Sequence, residues 1–152
     1  MAEFRLQPLL EYARERSELA AQELQRLRYQ WTQAEEKLQQ LQAYLADYHN
    51  RLNSNAVGGM TAAAMRDFQR FISKLEMAIR AQGEEVVRCR QRWEAGQLAW
   101  LEREREVKAY GALLERHERE ELRKETKRDQ RIQDEFAQNQ HLRRVADDPP
   151  NK

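Results

Sequence analysis

Apolar residues recur along the first third of the chain at alternating steps of four and three. They fall at Leu6, Leu10, Ala13, Ser17, Ala20, Leu24, Leu27, Trp31, Ala34, Leu38, Leu41, Leu45, Tyr48 and Leu52, with Ser17 the single polar member. Spacing of this kind, sustained over many turns, is the seam of a coiled coil, because a straight 3.6-residue helix would drift off it. Pro8 fits the first helical turn, where its missing N–H is no loss, so the pattern predicts a helix over about 7–52. A second seam runs through Met65, Phe68, Ile72, Leu75, Ile79, Gln82, Val86, Cys89, Trp93, Gly96, Trp100, Arg103, Val107, Tyr110 and Leu114, interrupted at Gln82, Gly96 and Arg103. Thr61 is placed to cap it, and helix is expected over about 62–143. Between the seams, NSNAVGGMT (53–61) offers Asn and Ser side chains that compete for backbone hydrogen bonds and two glycines that accept positive φ, so a turn is expected there.

Together these elements predict an all-α fold: one domain over 1–152, built as an antiparallel coiled-coil hairpin of two long helices, the second overhanging the first, with a disordered tail at 144–152. In such a hairpin, facing residue numbers sum to a constant, and a sum of 113 aligns every seam position. It sets Tyr48 against Met65, Leu41 against Ile72, Ala34 against Ile79 and Cys89, a small apolar filler, against Leu24. Large residues then meet small ones, with Trp93 opposite Ala20, Trp100 opposite Ala13 and Trp31 near Gln82 and Gly83. Gly inside a helix costs about 1 kcal/mol relative to Ala, so Gly83 and Gly96 are read as making room for Trp rings. The first arm then runs out opposite Val107. Beyond it, 102–135 carries 11 acids interleaved with 10 bases, a solvated helix on which Leu122, Ile132 and Phe136 are sparse apolar anchors. Such an extension either frays or is held by another protein, with Gly111 as a flexible point.

Charge adds mainly exclusions. Lys plus Arg number 27 and Asp plus Glu 26, and the two signs are interleaved, so there is no basic stripe for nucleic acid and no electrostatic draw to an anionic membrane. No apolar run spans a bilayer and the opening residues lack a signal-peptide core, which predicts a cytoplasmic protein. A lone cysteine, Cys89, allows no intrachain disulfide. There is no glycine-rich phosphate loop, no metal-ligand spacing and no nucleophile paired with a base, while His49, His117 and His141 lie far apart. The expectation is a protein without catalytic residues, metal or cofactor.

One flank departs from the usual polar edge of a coiled coil. The g positions near the turn are Lys37 and Tyr44 on the first arm and Phe71 and Ala78 on the second, and antiparallel packing puts both sets on one side. The opposite e edge carries Glu35, Gln42, His49, Gln69 and Glu76. Tyr44 beside Phe71, with Ala78 extending the strip, reads either as a docking surface or as a local widening of the core.

Four stretches taken in order, DYHNRLN, DFQRFISKLEMAI, RWEAGQLAW and KRDQRIQDEFAQ, resemble the flagellar type III export protein family FliJ from about residue 30 to 138. The resemblance implies a non-enzymatic cytoplasmic stalk, of chaperone type, at the cytoplasmic face of the flagellar export apparatus and peripheral to the inner membrane through it. It would serve flagellum biogenesis, motility and chemotaxis. The implied partners are the hexameric export ATPase, whose ring assembly and activity it promotes, the cytoplasmic linker of the export-gate membrane protein, and export chaperones. Positions matching the family's gate-binding surface are Lys37, Leu41, Tyr44, Tyr48, Phe71, Leu75, Ala78 and Gln82, of which Lys37 and Gln82 depart from the common pattern. For the ATPase end the resemblance gives a region, within which Arg116, Arg128, Asp129 and Phe136 are nominated. The alternatives are the equivalent stalk of a virulence type III system and a generic dimeric coiled-coil scaffold.

Overall fold

The computed structural model describes residues 3–147, and among them the secondary structure is two helices, α1 (Gln7–Val57) and α2 (Ala62–Asp147), with no strand. Before α1, the Gln7 amide donates to the Phe4 carbonyl at 3.0 Å and the Leu10 amide to Leu6 at 2.9 Å, so Pro8 sits within the opening turn. The helix does not stop at Leu52. It continues through Asn53, Ser54 and Asn55 because each costs less than about 0.7 kcal/mol of propensity in a helix already running. The stop comes at the glycines. Gly58 donates to the Ser54 carbonyl at 3.2 Å, Gly59 to Ala56 at 3.4 Å, and Gly59 takes φ 88°, a left-handed helix end that a residue with a Cβ resists. Thr61 then caps α2, its Oγ1 accepting from the Ala64 amide at 3.2 Å. At the far end α2 includes 144–147, which were expected in a disordered tail; the remainder of that expectation, 148–152, lies outside the described residues.

The chain divides into two compact units, Glu15–Glu104 and the residues up to Arg14 with those from Arg105. In the first, α1 and α2 pack antiparallel. Ser17 meets Glu104, Leu24 lies beside Gly96 and Tyr48 meets Phe71, so facing numbers sum to 119–121. The expected sum of 113 is therefore wrong by one heptad, and the reason is the turn: α1 runs five residues further than expected and the connection shortens to 58–61. The seam itself is as read. All of its positions in both helices are buried or half-buried, while the intervening positions are mostly exposed. A one-heptad slip keeps every seam residue inside and changes only its opposite number.

The corrected pairing explains the seam's irregular members. Gly96 does not make room for a Trp ring. A Cβ there would stand 2.6 Å from Leu27 Cδ1 and 3.6 Å from Leu24 Cδ1, so its bareness admits two leucines. Gly83 has nothing within 4 Å of that position and makes room for nothing. Trp31 lies against Trp93, ring centroids 5.3 Å apart, with the Arg28 guanidinium 4.1 Å over its ring. Two buried polar groups are satisfied across the interface: Gln82 Nε2 donates to the Ala34 carbonyl at 2.9 Å, and the Ser17 hydroxyl donates to Glu104. Leu27, Ala34, Ile72, Leu75 and Cys89 form the buried apolar part, each large side chain contributing about 1.5–3 kcal/mol.

In the other unit, Leu10 and Ala13 are buried and Phe4 packs on His117, centroids 5.5 Å apart. Support for α2 therefore reaches His117 rather than ending at Val107. From Thr126 to Asp147 every residue is exposed.

Candidate functional site

The apolar flank near the turn is built on rings from both helices. Tyr44 stacks on Tyr48 one turn later, centroids 5.9 Å apart at 21°, and Tyr48 contacts Phe71 at 4.4 Å and Phe68 at 6.1 Å. Tyr44 and Phe71, expected as direct neighbours, are thus joined through Tyr48, a half-buried seam residue whose ring touches both. Tyr44 is 58% exposed and Phe71 41%, so two ring faces remain available after the core is packed. Arg51 lies 5.5 Å over the Tyr48 ring while its Nε pairs with Asp47 at 3.2 Å, which closes the strip on the turn side with charge.

The remaining nominated positions divide by burial. Lys37 and Ala78 are exposed on the same strip and Leu41 is half-buried. Leu75 and Gln82 are core residues, one apolar and one bonded to the Ala34 backbone, and present little surface of their own. At the other end Arg116, Arg128, Asp129 and Phe136 are all exposed on α2, Phe136 at 64%. Asp129 and Phe136 share a face two turns apart, whereas Arg116 lies about 18 Å up the helix from Arg128. No feature of the helix joins these four into one cluster.

Cys89 is 4% exposed and its Sγ donates to Glu85 Oε1 at 3.4 Å. Burial, then the bond to Glu85, pushes its thiol above the ordinary range, the opposite of what a reactive thiolate requires. Glu85 itself is held below the usual carboxylate range by Arg88, whose Nη2 is 2.8 Å away, and then by the Cys89 thiol. Among the described residues no group of three or more His, Cys, Asp or Glu is placed to hold a metal, and no helix is long and apolar enough to cross a membrane. What the sequence reading missed is the surface of the second unit, where Glu3–Pro8 meets α2. The available signal was His117, the next seam position after Leu114, with an aromatic residue, Phe4, placed to meet it.

Two long helices packed antiparallel through a heptad seam define the class as an all-α coiled-coil protein. Comparison with known proteins gives the particular family: the model described as "Flagellar FliJ protein" matches residues 1–146, and the chain belongs to that family. The flagellar FliJ protein of Escherichia coli (strain K12) is 33% identical over 139 residues, covering 91% of this chain and 95% of that protein. That of Salmonella typhi is 30% identical with the same coverage. Among solved structures, a putative YscO homolog from Chlamydia trachomatis superposes with a TM-score of 0.69 over 97% of this chain and 100% of its own, at 20% identity, a likeness of fold. Family membership associates the chain with the flagellar protein-export apparatus.

Proposed function

We propose that this protein is a non-enzymatic stalk of the flagellar type III export apparatus. It promotes assembly and activity of the hexameric export ATPase ring and links that ring to the export gate from the cytoplasmic side. The observation that carries the reading is the bare end of α2, where the 22 residues from Thr126 to Asp147 stay helical though all are exposed. A helix of that length with polar residues nearly all round is marginal alone, and a surrounding partner would stabilise it. Arg116, Arg128, Asp129 and Phe136 lie where the ATPase would touch it. The Tyr44–Tyr48–Phe71 strip, with Lys37 and Ala78, is the surface offered to the cytoplasmic linker of the gate protein; Leu41, Leu75 and Gln82 support it. Cargo-free export chaperones are further partners on this reading.

The test is ATP turnover and ring formation by the export ATPase with this protein added. The full chain should raise both. A chain ending at Glu125, which keeps the Phe4–His117 contact and so the paired part of the structure, should not. No effect of the full chain would overturn the ATPase role. Gate binding is read separately: Tyr44→Ala with Phe71→Ala should lose it at unchanged helicity, and retention would remove the strip from the reading.

A further inference from the structure

The second unit holds an open groove of ≈ 920 Å³ whose floor is Phe4 and Pro8 on one side and Leu114 and Leu122 on the other. One wall is tied to α2 and to its own backbone. Phe4 is held against His117, and the Gln7 amide ties the same segment back to the Phe4 carbonyl. Leu122 is 63% exposed, so the floor is wet along its outer half. The rim is mostly acidic: Glu3, Glu118, Glu121 and Glu125 line it, with one guanidinium, that of Arg5. Lys124 reaches Glu121 at 3.6 Å from outside. In a chain whose formal charge is only +1, four carboxylates around one apolar trough is a local departure.

The spacing also has a direction. Glu118, Glu121 and Glu125 recur at three and four residues along α2, beside Leu114, Glu118 and Leu122 at four and four. From Leu114 to Glu125 the helix rises about 16 Å, three turns. An occupant that buries apolar residues in the trough while matching those carboxylates must itself repeat at three and four, with cations flanking its apolar stripe. The same face of α2 continues through Asp129, Ile132 and Phe136, again alternating acid and apolar, and Ile132 is 62% exposed.

We propose that this groove and the α2 face continuing from it form a docking site for a basic amphipathic helix of another protein, with leucine-sized residues on the Phe4–Leu114–Leu122 floor and lysine or arginine against the rim. The site is distinct from the gate-facing strip; its continuing face shares Asp129 and Phe136 with the surface proposed for the ATPase, whereas the groove itself contains none of the residues proposed to touch the ATPase. Charge complementarity excludes an acidic helix, which would bring like charges onto an apolar trough of low dielectric.

The test uses the full chain and two designed, fluorescently labelled helical peptides, one with leucines and lysines on opposite faces and one with glutamates replacing the lysines. Fluorescence anisotropy should show the lysine peptide binding at least tenfold more tightly than the glutamate peptide, and weakening as salt rises. Leu122→Asp, and separately Glu118→Gln with Glu125→Gln, should each reduce its affinity at least tenfold at unchanged helicity. Glu120→Gln with Asp134→Asn, exposed acids of the same helix that do not line the groove, should leave it within twofold. Equal binding to all the variants would show mere attraction to an acidic surface and overturn the proposal. So would equal binding of the glutamate peptide, or no binding. Self-association abolished by Leu122→Asp would assign the groove to a second copy of the chain and also overturn it.

Discussion

Replacing Gly96 and Gly83 with alanine, one at a time, applies the same chemical change to one helix in two environments. In a solvated helix interior, Gly→Ala gains about 0.8–1.0 kcal/mol. At Gly83 nothing lies within 4 Å of the new methyl, so that gain should appear undiminished. At Gly96 the methyl would stand 2.6 Å from Leu27 Cδ1, when carbon atoms are at ease at about 3.5–4 Å. Leu27 is 8% exposed and has little room to retreat by the required ångström, so overpacking of about 1–3 kcal/mol should cancel or reverse the gain. Urea denaturation followed by helical circular dichroism, read as a shift in midpoint at unchanged slope, measures both. Gly83→Ala should be stabilised by about 1 kcal/mol. Gly96→Ala should fall below it by about 1–3 kcal/mol. If the two substitutions stabilise equally, the helices are not packed as described. In the register displaced by one heptad Gly96 faces Ser17, where a methyl would be harmless.

Cross-linking tests the same pairing directly. In a Cys89→Ser background, Leu41→Cys with Ile79→Cys should form an intramolecular disulfide, while Ala34→Cys with Ile79→Cys, opposite each other only in the displaced register, should not; the reverse outcome would restore the pair sum of 113. A pH series addresses the Glu85 cluster. Its carboxyl is held below the ordinary range by Arg88 and Cys89, so the folded state binds a proton there less readily than the unfolded chain. The resulting stabilisation is complete above the ordinary carboxylate pKa and is lost as pH falls through the lowered one. Glu85→Gln should therefore be less stable than wild type at neutral pH and lose that difference in acid, as read by denaturation midpoints at several pH values; a difference unchanged by acid would remove the ion pair as its cause.

The candidate surfaces were legible in the sequence to unequal degrees. Tyr44, Phe71 and Ala78 were placed on one flank by heptad position, since a g residue leaves the core edge whatever its partner is. The stacking that joins Tyr44 to Phe71 was not legible, because it depends on where the Tyr48 ring lies between the two packed helices. Burial separated Leu75 and Gln82 from the exposed members of the nominated set, and only the packed pair of helices could do that. The groove beside Phe4 was hidden because residues 3–5 precede Leu6, the first seam position, so no periodicity marks them.

Helix content, the two seams, the capping threonine and the identity of every inward-facing residue follow from local rules: alternating steps of three and four, Pro8 in a first turn, Thr61 before an alanine run. Those rules repeat every seven residues and are blind to a slip of seven. Pair sums of 113 and 120 place the same residues in the core and leave the same residues in water, so hydrophobic burial, the dominant force drawing the helices together, cannot choose between them. The choice was made by contacts that exist only between packed helices: two leucines filling the space above Gly96, Trp31 lying against Trp93, and a turn delayed until Gly59 could adopt positive φ.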